Sequence, residues 1–196
     1  MEGTARMETF SDGVFAIAAT LLVLEIGVGA HSSNLGHDLL HLWPSYLAYV
    51  TSFITIGIIW MNHHWVVATM ARVDRVLLFL NLLLLMTVSF LPFPTRLVAD
   101  YLNEPGEKSA VVAYAATLFV MAVVYNVTWR YASGRRRLIA GDIADARVHA
   151  ISRAFNPGVP IYAATLLVAF FSPLASVLLT FAIAAFYLPS AALFER

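Results

Sequence analysis

Long apolar stretches alternate with short charged segments along the whole chain. The stretch between Arg75 and Arg96 holds no charged residue, and neither does the stretch between Lys108 and Arg130. Stretches of about 20 uncharged residues match one helical crossing of a bilayer. The pattern therefore predicts an all-α integral membrane protein. Its six expected transmembrane helices cover approximately residues 9–28, 44–71, 76–98, 109–129, 157–172 and 174–194.

The last two predicted helices are separated by a single proline. Pro173 predicts a tight reversal between them, and a re-entrant pair is the alternative to two full crossings. No repeat or low-complexity stretch divides the chain, so we predict one domain over residues 1–196. A cleavable signal peptide is not expected, because the first apolar run follows Glu2, Arg6 and Glu8 and lacks a basic start.

The basic residues fall mostly on one side of the predicted membrane. Six crossings place both termini and two loops on a shared side, which holds ten of the twelve basic residues, while Arg96 and Lys108 lie opposite. Because lysine and arginine concentrate in cytoplasmic loops, we predict a multi-pass protein of the cell membrane with both termini in the cytoplasm. The ten residues are Arg6, Arg72, Arg75, Arg130, Arg135, Arg136, Arg137, Arg147, Arg153 and Arg196.

The composition excludes several classes of protein. Hydrophobic residues make up 60% of the chain and charged residues only 12%, whereas soluble domains carry about 25% charged residues. The mean hydropathy is +0.77. Twelve basic residues balance twelve acidic ones, which argues against nucleic-acid binding. The absence of cysteine excludes disulfides, thiolate metal sites and cysteine nucleophiles.

The longest polar segment covers residues 131–153 and contains three consecutive arginines. A short interfacial helix is expected near residues 143–151. One interpretation is a basic loop that sets the topology. The alternative is contact of Arg135, Arg136 and Arg137 with anionic lipid or a regulatory partner.

The first predicted helix carries a branched apolar stripe. On a helical wheel of about 100° per residue, Thr20, Leu21 and Leu24 lie within about 60° of Ile17. Periodicity alone favours ordinary packing or lipid contact for such a row. A pore-lining face is the alternative.

Asp12 lies about 140° from Ile17 on the same wheel. An aspartate inside a membrane is costly unless it finds partners, and the small residues Ala16 and Ala19 on the rear face permit close approach of another helix. The second and third predicted helices bring polar residues to a similar depth. We therefore expect one buried polar cluster near the cytoplasmic boundary, made of Ser11, Asp12, Asn62, His63, His64 and Asn81.

Three roles are open to this cluster. It can fix helix packing as a hydrogen-bonded staple, relay or sense protons because histidine titrates near neutrality, or bind a metal. The adjacent side chains of His63 and His64 point about 100° apart on a helix, which suits two partners better than one shared ion. No metal site is predicted apart from permeating potassium.

Two motifs identify a family resemblance. The first predicted helix contains Arg6-x-x-x-Phe10-Ser11-Asp12, followed by Ile17-x-x-Thr20-Leu21-x-x-Leu24-Glu25, and the second contains Trp60-Met61-Asn62-His63-His64. Together they resemble the signature of the transmembrane protein 175 potassium channel family, and the second motif resembles that of its prokaryotic members. Length, six predicted crossings and cytoplasmic termini extend the resemblance over essentially the whole chain, with the later helices matched by hydropathy.

The resemblance implies a homotetramer around a central pore that is lined by the first helix of each copy. It places the narrowest apolar constriction at Ile17, with Leu21 and Leu24 forming the next rings. Thr20 is implied to line the pore and contribute to selectivity. Glu25, near the outer end of the same helix, has two open roles: a structural hydrogen bond or a charge that attracts cations.

The remaining motif residues are implied to serve packing and assembly, which agrees with the rear position of Asp12. The predicted packing network consists of Arg6, Phe10, Ser11, Asp12, Asn62, His63, His64 and Asn81.

The predicted function is a potassium-permeable cation channel, with no enzyme activity and no cofactor. The chain lacks a Thr-Val-Gly-Tyr-Gly loop, so selection must arise at apolar rings where a hydrated cation sheds part of its water. Potassium sheds water more readily than sodium, which predicts passive conduction with a weak to moderate preference for potassium. The expected partners are further copies of the chain, monovalent cations and the lipid bilayer, and no nucleic acid.

The alternative function is a secondary transporter or proton-coupled carrier that uses Asp12, His63 and His64. Transporters usually contain internal repeats and helices broken near the middle of the membrane. The prolines of this chain cluster near the ends of the predicted helices, which favours the channel.

Overall fold

A computed structural model describes residues 2–27 and 35–193, with side chains placed for residues 4–27 and 35–188. Within these residues the chain is all-α, as predicted. The ends of the first and last predicted helices, at residues 28 and 194, lie outside the described residues. The helices are α1 Glu2–Leu21, α2 Leu35–His41, α3 Trp43–Ala68, α4 Arg75–Phe90, α5 Pro92–Tyr101, α6 Glu107–Ser133, α7 Asp145–Phe155, α8 Gly158–Phe171 and α9 Pro173–Leu193.

Several helices are long and apolar enough to cross a membrane. Five candidate segments among the described residues satisfy that test, and residues Pro173–Leu188 of α9 form a shorter apolar helix. The five longer segments overlap the first five predicted crossings, with α7 and α8 together making up the fifth, and the shorter helix overlaps the sixth, so the count of six crossings stays a prediction. The five longer ones are Thr4–Glu25, Trp43–Ala68, Arg75–Tyr101, Glu107–Arg136 and Asp145–Phe171.

The third predicted helix is divided by a proline, which corrects the expectation that prolines cluster near helix ends. α4 ends at Phe90 and α5 begins at Pro92, whose missing N–H is tolerated at the first position of a helix. The N–H of Leu91 donates to the carbonyl oxygen of Val88 at 3.1 Å, which tightens the last turn of α4. α5 then continues to Tyr101, beyond the predicted end at residue 98.

The helices pack around two apolar cores. α1 lies against α3 and α4, while α6 contacts α4, α5 and α8. Phe15, Leu22 and Leu84 belong to the larger core in the middle of the bundle. Trp129 and Leu138 belong to a second core at the end where the α3–α4 and α6–α7 loops meet.

The α6–α7 loop is tied to the α3–α4 loop by main-chain hydrogen bonds. Met70 and Ile139 form an antiparallel bridge. The N–H of Ala71 donates to the carbonyl oxygen of Leu138, and the N–H of Ala140 donates to that of Thr69, both at 2.9 Å. The loop that was predicted only as a polar segment therefore forms part of the folded core.

Two of the three consecutive arginines make contacts inside this loop. Arg136 donates to the carboxylate of Asp145 and to the carbonyl oxygen of Ile143. Arg137 stacks over the ring of Tyr131 and donates to its hydroxyl at 2.9 Å. Arg135 is exposed. The expected short helix is present as α7, although it begins at Asp145 and ends at Phe155.

A candidate pore surface and the polar network behind it

α1 has one buried face and one exposed face. Phe15, Ala18 and Leu22 are at most 2% exposed and pack in the larger core. On the other face Ile17 is 61% exposed and Leu24 is 69% exposed, although both are large apolar side chains. The exposed set, which we call the α1 stripe, consists of Phe10, Ile17, Thr20, Leu21 and Leu24.

The buried face of α1 differs from the predicted one. Ala16 is exposed and Ala19 is only partly buried. The prediction that both lie on the rear face of α1, against another helix, is therefore wrong for Ala16 and holds only in part for Ala19. Ser11, Phe15 and Leu22, which follow each other at helical spacing, occupy the centre of that face instead. Large residues fit there because α3 and α4 leave room for them, which a wheel drawn for α1 alone does not reveal.

The C-terminal end of α1 continues as a 3₁₀ turn over Leu22–Glu25. Side chains three residues apart eclipse in such a turn, so Leu24 continues the line of Leu21. Near the end of α1, just before this turn, the hydroxyl of Thr20 donates to the carbonyl oxygen of Ile17 at 2.9 Å. This exposed hydroxyl is therefore bonded to its own helix.

Three of the six predicted cluster residues form a continuous hydrogen-bond chain. The amide nitrogen of Asn81 donates to Oγ of Ser11 at 3.0 Å, and Nε2 of His63 lies 2.9 Å from Oδ1 of Asn81. Ser11 in turn donates to the carbonyl oxygen of Met7 at 2.8 Å. All three side chains are buried. This chain, which we call the α1–α4–α3 network, fastens the rear of α1 to the two helices behind it.

The other three predicted cluster residues do not join this hydrogen-bond chain, which corrects the expectation of one shared cluster. Asp12 accepts a hydrogen bond of 2.9 Å from the indole nitrogen of Trp60. His64 is exposed and its Nδ1 lies 2.7 Å from a carboxylate oxygen of Glu8. His63 and His64 have different partners because successive residues of α3 point about 100° apart.

Asn62 lies on another side of α3. It lines a mostly apolar cavity of about 270 Å³ between α3, α6, α8 and α9, together with Tyr125 and Tyr162. Arg6 and Phe10 are exposed at the start of α1. A packing role for these two residues would require contacts beyond the protomer, and it stays a prediction.

The opposite end of α1 carries an ion pair. The carboxylate of Glu25 lies 3.6 Å from the guanidinium of Arg96, and the carboxylate of Asp100 lies 3.3 Å from the same group. Glu25 therefore joins α1 to α5. Of its two predicted roles, the structural one has a partner in Arg96, and the attraction of cations stays a prediction.

Two partner residues were missed in the sequence, and each had a signal. Trp60 belongs to the second family motif, and an indole N–H can only donate, so it requires an acceptor such as Asp12. Glu8 precedes Asp12 by four residues, which places both carboxylates on neighbouring turns of α1. Across residues 2–27 and 35–193, no group of three or more histidine, aspartate or glutamate side chains is arranged to hold a metal ion.

Comparisons with known proteins identify close relatives of the chain. The family model described as endosomal/lysosomal potassium channel TMEM175 matches residues 6–92. A potassium channel of Chamaesiphon minutus is 43% identical over 94% of this chain and 93% of its own length. A potassium channel of Streptomyces collinus is 45% identical over 76% of this chain and 72% of its own length. The crystal structure of a lysosomal potassium-selective channel TMEM175 homolog from Chamaesiphon minutus superimposes with a TM-score of 0.88 and 41% identity, covering 96% of this chain and 97% of that one.

Proposed function

The chain belongs to the TMEM175 family, and from that premise we propose that it forms a homotetrameric, potassium-permeable cation channel in the cell membrane. The family and the relatives above are ion channels, not enzymes. The chain has several apolar helices of membrane-spanning length, as a multi-pass membrane protein requires. In the proposed assembly, each protomer crosses the membrane six times.

The α1 stripe supports a central pore. It leaves Ile17, Leu21 and Leu24 exposed on the protomer while the opposite face of α1 is buried. A contiguous exposed row of large apolar side chains marks either a lipid-facing or an assembly surface. Rotational symmetry brings four copies of one surface around a common axis. The four stripes then enclose a path, with Ile17 at its narrowest ring.

An apolar ring explains passive conduction with a modest preference among cations. A cation that passes Ile17 sheds part of its hydration shell without carbonyl oxygens to replace the water. Potassium holds its water less tightly than sodium and therefore meets the smaller barrier. The same ring can close the pore by losing its water. Thr20 lies beside the ring, and because its hydroxyl donates its proton to its own helix, the oxygen lone pairs stay available to a passing cation, in keeping with the predicted contribution to selectivity.

The end of the bundle with the paired loops faces the cytoplasm in this proposal. The loop after α3 and the loop after α6 meet at the end of the molecule where Ser11 contacts Asn81. Arg72, Arg136 and Arg137 belong to these loops. The basic side of a membrane protein is the cytoplasmic side, so both termini lie in the cytoplasm.

A carrier based on Asp12, His63 and His64 has less support. The three side chains bond to Trp60, Asn81 and Glu8 respectively and form no shared site. Proton-coupled membrane proteins use chains of aspartate, glutamate and histidine side chains as proton relays. The separate pairs favour structural roles over coupling.

Ion flux into liposomes that contain the purified protein tests the proposal. We expect passive potassium flux that exceeds sodium flux and needs no counter-substrate. Flux that requires exchange with a second ion would indicate the carrier. Native mass spectrometry of the same preparation measures the oligomer, and a conducting species with a number of copies other than four would contradict the tetramer.

A further inference from the structure

Two buried polar atoms lie behind the pore-lining helix without a hydrogen-bond partner. They are Nδ1 of His63 and the hydroxyl oxygen of Tyr125 on α6, and the described part of the chain offers neither atom a bond. A buried polar group without a partner destabilises the fold, because it loses its bonds to water and gains none in the protein. Two such groups at one place therefore require an explanation.

Both residues line the same small cavity. Its volume is about 10 Å³, close to the minimum of about 10–15 Å³ that one buried water occupies. Its other walls are mostly apolar, including Met7, Leu77 and Trp129. A single water is the only common ligand that fits this volume and serves a nitrogen and a hydroxyl together.

The α1–α4–α3 network determines which atoms are free to accept. Ser11 donates to the carbonyl oxygen of Met7, so its oxygen accepts from the amide nitrogen of Asn81. The carbonyl oxygen of Asn81 must then accept from Nε2–H of His63. In the neutral imidazole this arrangement leaves Nδ1, the buried atom of His63 without a partner, as an acceptor.

We propose that one buried water occupies this cavity, accepts from the hydroxyl of Tyr125 and donates to Nδ1 of His63. Every donor in the extended chain then points the same way, from Tyr125 through the water, His63, Asn81 and Ser11 to the main chain of α1. Aligned hydrogen bonds of this kind strengthen one another. Through this water, Tyr125 is a positioning residue that connects α6 with the rear of α1. Its hydroxyl makes no direct hydrogen bond to the α1–α4–α3 network.

Tyr125 also lines the larger cavity next to Asn62. The water-bridged chain thus connects the lateral cavity of the bundle with the helix that carries the α1 stripe. This inference does not depend on conduction, because it concerns the packing of a single protomer.

Nitrogen NMR of histidine in the full chain, reconstituted in lipid, tests the chain of donors. The chain has six histidines, and the His63→Gln variant assigns the signals of His63. We expect the Nε2–H form with a hydrogen-bonded Nδ1. The Tyr125→Phe variant removes one of the two groups that hold the water, so the Nδ1 signal should shift toward that of an unbonded nitrogen. A proton on Nδ1, or an Nδ1 signal that does not respond to Tyr125→Phe, would overturn the proposal.

Tyr114→Phe is the matched control. Tyr114 lies on the same helix and is buried, but its hydroxyl bonds to Ser52 in a different part of the bundle. We expect this variant to leave the Nδ1 signal unchanged. A shift as large as that of Tyr125→Phe would indicate a general loosening of α6 and would count against a local bridge.

A high-resolution map of the full channel tests the water itself. Density within hydrogen-bond distance of both atoms supports the bridge. A dry cavity, or a hydroxyl of Tyr125 bonded directly to His63, rejects it. In melting experiments the double variant Ser11→Ala/Tyr125→Phe should lose less Tm than the sum of the single losses, whereas Ser11→Ala/Tyr114→Phe should be additive. Additive losses in both pairs would contradict a connected chain.

Discussion

The indole nitrogen of Trp60 donates a hydrogen bond of 2.9 Å to Oδ1 of Asp12, which fastens α3 to α1 two residues after Phe10 of the α1 stripe. Asp12 is partly buried. Removing its carboxylate leaves the indole N–H of Trp60, which is 45% exposed on the protomer, without its acceptor, at a cost of about 1 kcal/mol. We therefore predict that Asp12→Ala lowers the Tm and the yield of folded assembly, measured by thermal unfolding and size-exclusion chromatography.

Asp12→Asn is the control, because its amide oxygen can still accept from Trp60. It should lose clearly less Tm than Asp12→Ala. Trp60→Phe should lower the Tm on its own and add little to Asp12→Ala, since either change already removes the bond. Normal assembly of Asp12→Ala together with lost ion flux would instead assign Asp12 to conduction.

The sequence predicted the depth of the polar residues better than their partners. Hydropathy places Ser11, His63 and Asn81 at one level of neighbouring helices, and they do bond to one another. The rotation of α3 about its own axis depends on side-chain packing, which hydropathy does not encode. Because of that rotation, Trp60 donates its hydrogen bond to Asp12, and Asn62 lines the cavity between α3, α6, α8 and α9.

The helix break before Pro92 shows a second limit of sequence-based prediction. A proline inside an apolar run can end a crossing or start a new helix within it, and both have the same hydropathy. Here α5 continues to Tyr101 and brings Arg96 beside Glu25. The ion pair between Glu25 and Arg96 therefore depends on the separate helix that begins at Pro92, which hydropathy did not predict.

Glu25 is expected to act through structure more than through its charge. Arg96 lies 3.6 Å from its carboxylate and offsets the attraction that Glu25 would exert on a cation. We predict that Glu25→Gln changes potassium flux by less than about twofold at low and at high ionic strength. The loss of stability should stay within about 1 kcal/mol, as for other partly exposed pairs.

Asp100→Asn removes the second carboxylate beside Arg96 and is the control. A flux decrease at low salt that high salt abolishes would show that Glu25 attracts cations.

Asp74 should make the stability of the α3–α4 and α6–α7 loops depend on pH. It caps α4 by accepting from the N–H of Leu77 at 2.8 Å, and it accepts from the hydroxyl of Tyr131 at 2.7 Å. These bonds hold the pKa of Asp74 below its ordinary value of 3.8. A group with a lowered folded-state pKa stabilises above its unfolded-state pKa and loses that contribution as the pH falls through the folded-state pKa.

We accordingly predict that Asp74→Ala costs about 1 kcal/mol near neutral pH, as the loss of a helix cap does. Melting curves at decreasing pH should show the difference from the wild type staying constant above about pH 5 and shrinking below pH 3.8. Asp142→Ala, an exposed change in the same loop region, should have little effect at any pH. A difference between Asp74→Ala and the wild type that grows on acidification would have the wrong sign for this account.

Ile17 is expected to set the narrowest point of the pore. Its side chain is 61% exposed on the protomer, and a smaller or polar replacement widens or wets the ring where a cation sheds water. We predict that Ile17→Ala and Ile17→Asn raise potassium conductance several-fold and bring the potassium and sodium permeabilities closer together, measured in reconstituted bilayers.

Leu167→Ala is the control, because Leu167 on α8 is 62% exposed but lies outside the α1 stripe. It should leave both the conductance and the permeability ratio unchanged. Correctly assembled Ile17 variants with wild-type permeation would place the constriction elsewhere, whereas equal effects of Leu167→Ala would show that loosening any exposed apolar surface alters conduction.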